Sequence, residues 1–444
     1  MDSRISKGIL LASMMLVSGV ASATDGYFSP GYGVQSVGMG GVAIALPLDT
    51  QSAASNPADL AWLGNRLDVG VSVFRPQRYA TFSMPSGSMT FAGNKKSNFL
   101  VPEFGFNRMI TPKLALGIVV FGNGGMNTGY SNLNSATRGA QCANPQVLQM
   151  FGGSAQACMA SPVGQLGAFG VGSTGVDLRQ LFISPTLAYR LNDSNSIGIT
   201  INFVHQSFDA TGIQAFQGMS TNPQNLTNRG HAGSNGVGFR IGWMGKLTKH
   251  LSLGLTYQPK THMSRFSKYN GLFAGGGSFD IPASYGVGIA WKSGPQLTVA
   301  GDLVRIEYGD VPAIANPMIN SMVCTNPSSC GLGAASGTGF GWRSVTVAKL
   351  GVQYVLNRQL TLRAGWNHSG QPVPNSAAFI NVLAPGVEQN HVSLGATYRL
   401  NADMALSFDY VHAMDTKVTG SGASKGVSIR MYQNVVGVSL GWKY

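Results

Sequence analysis

The sequence predicts an all-β fold: a transmembrane antiparallel β-barrel of about fourteen strands with an N-terminal hatch, or plug, in its lumen. Apolar residues alternate with small or polar ones along many segments, and charged residues make up only 11% of the chain. Both properties are typical of outer-membrane barrels, in which lipid-facing and lumen-facing side chains alternate. After residue 23 no apolar run approaches the roughly 20 residues that a membrane-spanning helix needs, which argues against a helical membrane protein.

The first 23 residues have the parts of a secretory signal peptide. Arg4 and Lys7 form a basic region, Gly8 to Val20 an apolar core, and Ala21-Ser22-Ala23 a small-residue cleavage site. We therefore expect residues 1–23 to be cleaved on export. The expected destination is the outer membrane of a Gram-negative cell, which the chain crosses many times.

Residues 24–64 lack the alternation and precede the first predicted strand, so we expect them to fold as a hatch inside a barrel of residues 65–444. They contain the glycine-rich stretch 36–45 and the sequence Asn56-Pro57-Ala58. A dinucleotide-binding loop is excluded, because Pro47 interrupts the segment after the glycines and no βαβ pattern surrounds them. In a crowded lumen glycines permit close backbone contacts, and Pro57 introduces a bend.

The barrel strands follow from the period of two. In the last strand Val436, Leu440 and Trp442 alternate with Gly437 and Ser439, which predicts one apolar and one small or polar face. An even number of strands is expected when both ends of a barrel are periplasmic. The fourteen predicted strands are residues 65–83, 98–111, 112–123, 177–192, 195–213, 236–247, 250–268, 278–292, 296–308, 341–356, 359–371, 388–401, 403–414 and 427–444.

The connections between strands differ at the two ends. Tight polar turns such as Thr248-Lys249-His250 alternate with long loops rich in glycine, serine and asparagine. In bacterial outer-membrane barrels the short turns lie on the periplasmic side. The long loops are residues 124–176, 214–235, 309–340 and 372–387.

Four cysteines lie in the long loops as two local pairs, Cys142 with Cys158 and Cys324 with Cys330. In an oxidising compartment we expect each pair to close a loop disulfide. No CxxC spacing and no histidine cluster is present, so we predict no metal site.

The net charge of +13 comes from lysines and arginines that are scattered along the chain, without a basic run. An exported chain of this kind is not expected to bind nucleic acid. Contact with outer-membrane lipids and lipopolysaccharide, or attraction of anionic ligands, fits the charge better.

No cofactor and no catalytic residue is predicted. His205, Ser207 and Asp209 alternate along one strand, but side chains two residues apart lie about 7 Å from each other, too far for a direct relay. The seven histidines are otherwise dispersed along the chain, so we expect the protein not to be an enzyme.

Taken in order, several motifs make the chain similar to the outer-membrane long-chain fatty acid transporter (FadL) family, which includes uptake channels for aromatic hydrocarbons. The resemblance spans the mature chain. The residues that carry it are the signal peptide, residues 36–45, Asn56-Pro57-Ala58, Leu362 to Gly365, Pro372-Val373-Pro374, Tyr410 and His412.

The resemblance implies a fourteen-stranded monomer that is inserted by the barrel-assembly machinery. In this family a hydrophobic ligand is captured by the outer loops and bound in the lumen. It then leaves sideways through an opening at a kinked third strand beside the hatch, without an energy source. Asn56-Pro57-Ala58 is then a structural hinge of the hatch rather than an ordinary turn.

The third predicted strand loses its alternation near its outer end. Glycines within a strand often mark bulges or bends, so we predict that Gly122, Gly124 and Gly125 contribute to the lateral opening. The alternative is a plain flexible junction between strand and loop.

Four further residues are predicted to contact the ligand. Tyr27 and Phe28 supply an apolar pocket wall on the hatch, unless they only pack the hatch itself. Lys349 and Arg363 pair with a ligand carboxylate. Their alternative roles are to anchor the hatch or to pair with Asp302 or Asp409.

The preferred function is therefore a channel for hydrophobic small molecules, either long-chain fatty acids or aromatic hydrocarbons. A general porin or a surface adhesion barrel is the alternative from another class. A polar porin is expected to carry more acidic residues than the 17 present, and it needs no plug.

Overall fold

The structure of the protein is a computed structural model that describes residues 25–84, 87–131, 153–160, 168–169 and 172–444. The predicted signal peptide 1–23, Cys142 and the side chain of Cys158 lie outside the described part of the chain. Within that part, no helix combines the length and the apolar character needed to cross a membrane.

Antiparallel strands form one closed sheet, in which the first and last strands pair from Arg66 with Lys443 to Phe82 with Val427. The strands are β1 (Arg66–Met84), β2 (Gly87–Ala92), β3 (Phe99–Met109), β4 (Leu114–Asn127), β5 (Gly175–Arg190), β6 (Asn195–Thr211), β7 (Ala232–Lys246), β8 (Leu251–Gln258), β9 (Ser284–Ser293), β10 (Leu297–Ile306), β11 (Val345–Val355), β12 (Leu360–Ser369), β13 (Asn390–Arg399), β14 (Met404–Thr419) and β15 (Val427–Lys443).

Two of these strands share one position in the wall. β3 pairs with residues 66–74 of β1, whereas β2 pairs with the outer part of the same strand, residues 79–84. The wall therefore has fourteen strand positions, which confirms the predicted barrel. The short strand β2 is absent from the sequence prediction, which begins the second strand at residue 98.

Some predicted strand limits are wrong. The range 250–268 is too long, because β8 ends at Gln258 and Pro259 has no N–H to donate to a sheet. Residues beyond it make only isolated bridges, such as Thr261 with Ile281. β14 instead continues five residues past the predicted end at residue 414, after an irregularity between Ala413 and Thr416.

The alternation has the predicted consequence for the two faces of the wall. In β15 Val436 and Trp442 are 55% and 47% exposed on the outer face, whereas Ser439 between them is 5% exposed. Outward apolar side chains suit contact with lipid, and inward small side chains leave room in the lumen.

The described part of the N-terminal segment, residues 25–64, forms no strand, and none of its residues is exposed. It contains a short α-helix, Val34–Val37, and two 3-10 helices, Thr50–Ala54 and Pro57–Trp62. The last of these packs against β5, β6 and β7. Enclosure by the wall explains how a segment without alternation is buried throughout.

Short helices and irregular chain cover the long-loop end. The α-helices there are Ala155–Ala160, Pro312–Ala315, Ile319–Met322 and Pro327–Cys330, and Ala274–Gly277 is a turn in which Gly275 and Gly276 have positive φ. The 3-10 helices are Gln214–Met219, Pro223–Asn225, Ser267–Tyr269, Tyr308–Asp310, Asn375–Ala377, Ile380–Val382 and Gly422–Ser424. Cys324 and Cys330 are joined by a disulfide, with their Cα atoms 5.6 Å apart.

Candidate functional site

Asn56-Pro57-Ala58 begins the 3-10 helix Pro57–Trp62. The Asn56 side-chain oxygen caps this helix by accepting a hydrogen bond of 3.1 Å from the Ala58 N–H. Pro57 occupies the first turn, where a backbone N–H has no helical partner. The Asn56 amide nitrogen donates to the Ile44 carbonyl at 2.7 Å and to the Trp243 carbonyl of β7 at 3.0 Å. One side chain thus joins two parts of the N-terminal segment to the wall.

Glycines on the wall make this contact possible. A Cβ on Gly242 of β7 would lie 1.9 Å from the Asn56 side-chain oxygen, and one on Gly198 of β6 would lie 2.4 Å from the Pro57 carbonyl carbon. Any larger residue would push the segment away. Sequence reasoning did not single out these glycines, because nothing local in their strands indicates what approaches them.

Two charged side chains of the wall hold the backbone of the N-terminal segment. The Asp302 carboxylate of β10 accepts hydrogen bonds from the N–H groups of Ala43 at 2.8 Å and Ile44 at 3.1 Å. The Lys349 ammonium of β11 donates to the carbonyls of Pro30 at 2.5 Å and Gly41 at 3.4 Å. Buried charges require such partners.

Arg363 of β12 has a similar environment. Its guanidinium donates to the side-chain oxygens of Gln35 at 2.9 Å, Gln353 at 2.8 Å and Thr397 at 2.6 Å. Among the described residues neither Lys349 nor Arg363 forms an ion pair within 4 Å. Both predicted ligand-binding cations therefore contact the N-terminal segment.

Tyr27 and Phe28 lie in a buried aromatic cluster that joins the N-terminal segment to the loops. The Tyr27 ring centroid is 5.1 Å from that of Phe28, 5.3 Å from that of Tyr308 and 6.1 Å from those of Phe279 and Trp342. The Tyr308 hydroxyl accepts from the N–H groups of Tyr27 at 3.2 Å and Phe28 at 3.4 Å. This hydroxyl fixes the backbone where the rings meet.

The aromatic contacts continue from this cluster through the loops to β6. Phe279 contacts Phe273 at 4.9 Å, Phe273 contacts Phe208 at 4.6 Å, and Phe208 contacts Tyr269 at 4.9 Å. We call Tyr27, Phe28, Phe208, Phe266, Tyr269, Phe273, Phe279, Tyr308 and Trp342 the aromatic band. It is a continuous apolar route between the loops and the N-terminal segment.

The aromatic band is closely packed in this structure. The cavity beside it, lined by Gly26, Trp342 and Met126, has a volume of about 30 Å³. A dry protein cavity that binds benzene has a volume of about 150 Å³, so a hydrocarbon needs some of these side chains to move.

At the end of the band Asp25 is fully enclosed. Burial raises the pKa of its carboxyl to about 6, although the Lys349 charge and a hydrogen bond from Asn367 both lower it. The Asn367 amide lies 3.3 Å from the carboxylate oxygen.

The wall is interrupted between β3 and β4. These strands pair only from Met109 with Ala115 to Phe104 with Val120, although β3 begins at Phe99 and β4 continues to Asn127. Residues 99–103 of β3 and residues 121–127 of β4 are therefore not paired with each other. The gap lies in the half of β4 nearer the long loops.

The predicted glycines lie at this gap. β4 has a register shift against β5 between Gly122 and Gly124, so Asn123 is an extra residue, as in a β-bulge. Gly124 has a φ of 152°, a conformation that other residues rarely adopt. A bulge bends the strand that carries it, and this one lies in the part of β4 that does not pair with β3.

The N-terminal segment pairs with β4 beside the gap. The Ser29 N–H donates to the Asn123 carbonyl at 2.9 Å, and the Gly125 N–H donates to the Tyr27 carbonyl at 3.1 Å. The Tyr32 hydroxyl donates to the Asn123 side-chain oxygen at 2.6 Å. The ring of Tyr32 lies 4.7 Å from that of Phe121 and lines a cavity of about 40 Å³ together with Pro102 of β3.

The structure thus brings Tyr27 and Phe28 close to Gly124 and Gly125, and it leaves Lys349 and Arg363 at separate anchors of the N-terminal segment. Sequence reasoning missed Tyr308 and Trp342. Both stand in or beside long loops, where no period indicates the direction of a side chain.

Comparisons with known proteins agree with this architecture. Residues 167–444 match the family model Toluene_X, described as outer membrane protein transport protein (OMPP1/FadL/TodX). A comparison with curated protein sequences gives no match.

Solved structures with the same fold include three relatives of low sequence identity. The P. putida toluene transporter TodX has 17% identity and a TM-score of 0.64, with 94% of this chain and 99% of that chain covered. The Ralstonia pickettii toluene transporter TbuX has 18% identity and a TM-score of 0.61, with the same coverage. A Pseudomonas aeruginosa FadL homologue has 14% identity and a TM-score of 0.65, again with the same coverage.

At these identities the structural likeness is one of fold, whereas the family model covers more than half of the chain. That family is one of outer-membrane transport proteins and not of enzymes. The chain belongs to the OMPP1/FadL/TodX family of outer-membrane transport proteins.

Proposed function

We propose that the protein is an outer-membrane channel for the passive uptake of hydrophobic small molecules, either long-chain fatty acids or aromatic hydrocarbons. The observation that carries this proposal is the aromatic band, which runs from the loops to the gap between β3 and β4. Two relatives of the same fold are toluene transporters, which supports the same class of ligand.

The ligand is captured by the loops and passes along the aromatic band. An apolar molecule that moves from one apolar surface to the next avoids the free-energy cost of entering water. Tyr27 and Phe28 form part of the binding wall, and they move apart to admit the ligand because the neighbouring cavity is only about 30 Å³.

The ligand leaves sideways between β3 and β4. Residues 99–103 have no hydrogen bonds to β4 that an exit would break. What closes the gap is Tyr32 and the short pairing of residues 27–29 with β4. Displacement of this part of the N-terminal segment opens the wall at Gly122, Gly124 and Gly125.

Residues 24–64 act as a hatch, and residues 65–444 form the barrel. Asn56-Pro57-Ala58 holds the deeper part of the hatch against the wall while its first residues move. For Lys349 and Arg363 we propose the anchoring role rather than contact with a ligand carboxylate, since their donors are engaged by Pro30, Gly41 and Gln35.

The remaining proposals concern the cell. Export uses a signal peptide cleaved after residue 23, and the barrel-assembly machinery inserts a monomer. Its outer face contacts membrane lipids and lipopolysaccharide. No catalytic step is needed for this function, and we assign none.

The test is uptake of radiolabelled oleate and of toluene by cells that lack their own transporter, with and without this protein. We expect faster uptake of at least one compound with the protein. If each compound enters cells with and without the protein at the same rate, the channel is rejected. Faster sugar entry alone would support a general porin.

A pair of variants tests the lateral route. Gly122→Trp fills the gap, so uptake should fall to the background level. Gly218→Trp is the matched control, because a Cβ added at this position in a loop helix meets nothing within 4 Å. Undiminished uptake by correctly inserted Gly122→Trp would contradict release through this gap.

A further inference from the structure

A pocket of about 460 Å³ opens at the short-turn end of the barrel, away from the aromatic band. It lies between the end of the 3-10 helix Pro57–Trp62 and the turns that follow β5, β7 and β9. Short turns are periplasmic in bacterial barrels, so this pocket faces the periplasm.

Trp62 is held firmly in the wall of this pocket. Its indole N–H donates to the Ser196 hydroxyl at 2.8 Å, and that hydroxyl donates to the Ala58 carbonyl at 3.0 Å. The ring position is therefore set by the N-terminal segment and β6 together.

Two cations lie over the Trp62 ring. The Lys246 ammonium is 3.6 Å from the ring centroid, and the Arg190 guanidinium carbon is 4.3 Å from it. Arg190 is further fixed by a hydrogen bond of 2.7 Å from its Nε to the Ala61 carbonyl. Cation–π contacts of this kind orient the positive groups but leave their charge uncompensated.

The pocket has an excess of positive charge. Arg190, Lys246 and Lys292 line it against a single carboxylate, Asp193. None of the three cations forms an ion pair within 4 Å with any residue in the described part of the chain. Like charges held together without a counter-charge favour the binding of an anion.

The rest of the lining is apolar apart from the Ser252 hydroxyl. Pro47 is partly exposed beside the cations, whereas Leu46 and Met244 are 4% and 2% exposed. An inorganic anion would use only the charged side, whereas an amphiphile with an acyl chain would use both.

We propose that this pocket binds the anionic head group, a carboxylate or a phosphate, of an amphiphile whose acyl chain leaves the pocket past Pro47. The head group bridges Lys246, Arg190 and Lys292 through charge-assisted hydrogen bonds. Its source is either a free fatty acid or a phospholipid of the periplasmic leaflet. The proposal concerns a site separate from the aromatic band and does not depend on transport.

The test uses the full-length protein purified in a nonionic maltoside detergent. Calorimetric titrations with decanoate, decyl phosphate and decanol compare three head groups on one chain length, and titrations into empty micelles are subtracted. We expect decanoate, decyl phosphate or both to bind with a Kd at least about tenfold lower than that of decanol. A preference for decanoate assigns the site to fatty acids, and a preference for decyl phosphate assigns it to phospholipids.

Variants connect this binding to the pocket. In Lys246→Met/Lys292→Met the Kd of the preferred ligand should rise at least about tenfold. Lys246→Arg/Lys292→Arg should retain binding because the charges remain. Lys249→Met removes an exposed lysine from the neighbouring turn and should change nothing.

Three results would overturn the proposal. The first is equal binding of decanol and the charged ligands, and the second is an unchanged Kd in the double methionine variant. The third is binding of acetate or inorganic phosphate as tight as that of the ten-carbon ligands, which would leave only an ion site. Because binding is read on purified protein, none of these results bears on the uptake experiments.

Discussion

Replacement of Asn56 by alanine tests how the N-terminal segment is held inside the barrel. The side chain is completely buried and makes three hydrogen bonds. Alanine removes the cap of the helix Pro57–Trp62. It also leaves the carbonyls of Ile44 and Trp243 without this donor.

The magnitude follows from these three bonds. Loss of an N-cap costs about 1 kcal/mol. Loss of each buried hydrogen bond to a carbonyl costs about 1 kcal/mol more. We therefore expect Asn56→Ala to weaken the docking of the segment by about 3 kcal/mol, which corresponds to about a 150-fold increase in local opening.

Hydrogen exchange measured by mass spectrometry on the full-length protein reports this opening directly. Peptides that cover residues 44–62 should exchange much faster in the variant. Peptides from β6 and β7 should keep their protection, because the ladder between these strands is unchanged. The expected effect is thus local to the segment.

The chain contains a matched control in Asn326. It also precedes a proline and caps a helix, Pro327–Cys330, by accepting from the Ser328 N–H at 3.1 Å. This residue is exposed, and its side chain makes only the cap bond to described residues. Asn326→Ala should therefore accelerate exchange of its own helix by only about fivefold.

The comparison refutes the reasoning if Asn56→Ala accelerates exchange of residues 44–62 no more than Asn326→Ala accelerates exchange of its own helix. The two hydrogen bonds to carbonyls would then contribute nothing. Equal loss of protection in β6 and β7 would show instead that Asn56 stabilises the wall rather than the segment.

Two further predictions concern the same segment. Gly242→Ala places a Cβ 1.9 Å from the Asn56 oxygen and should cost about 1–3 kcal/mol in docking, measured by the same exchange, whereas Gly233→Ala on the same strand, with its nearest atom at 3.3 Å, should have little effect. Equal effects of the two glycine variants would contradict the close-approach argument. Burial raises the pKa of Asp25 from 3.8 to about 6, so between these pH values its carboxyl is protonated in the native chain and ionised in the unfolded chain. The stability of the native chain therefore falls as pH rises through this window. Asp25→Asn should therefore stabilise the protein by about 3 kcal/mol at pH 8 and by nothing at pH 3, read as the difference in thermal unfolding between variant and parent; a difference independent of pH would contradict it.

Much of the wall was predictable because its causes are local. A strand between lipid and lumen needs a side-chain period of two, and that period can be read in Val436 to Trp442 without knowledge of any neighbour. The limits of the prediction appear at the ends of strands, as in residues 250–268, where Pro259 ends β8 ten residues before the predicted limit.

The candidate site was predictable only in part. The glycine run 122–125 indicated an irregularity, and the structure has a bulge there. The pairing of that bulge with residues 27–29, and the contact of Tyr27 with Tyr308, join positions far apart in the chain. No local pattern carries such information.

The sequence by itself determined that this chain is an outer-membrane barrel of fourteen strand positions, with apolar side chains outward and short turns at one end. These properties follow from alternation and turn composition, which act within a few residues. Only the tertiary structure decided which atoms Lys349 and Arg363 bind, where β3 and β4 separate, and that Arg190, Lys246 and Lys292 meet around one pocket. The physical reason is that a buried charge or ring contacts whichever group the closed barrel brings near it in space. The two residues can lie any distance apart in the sequence.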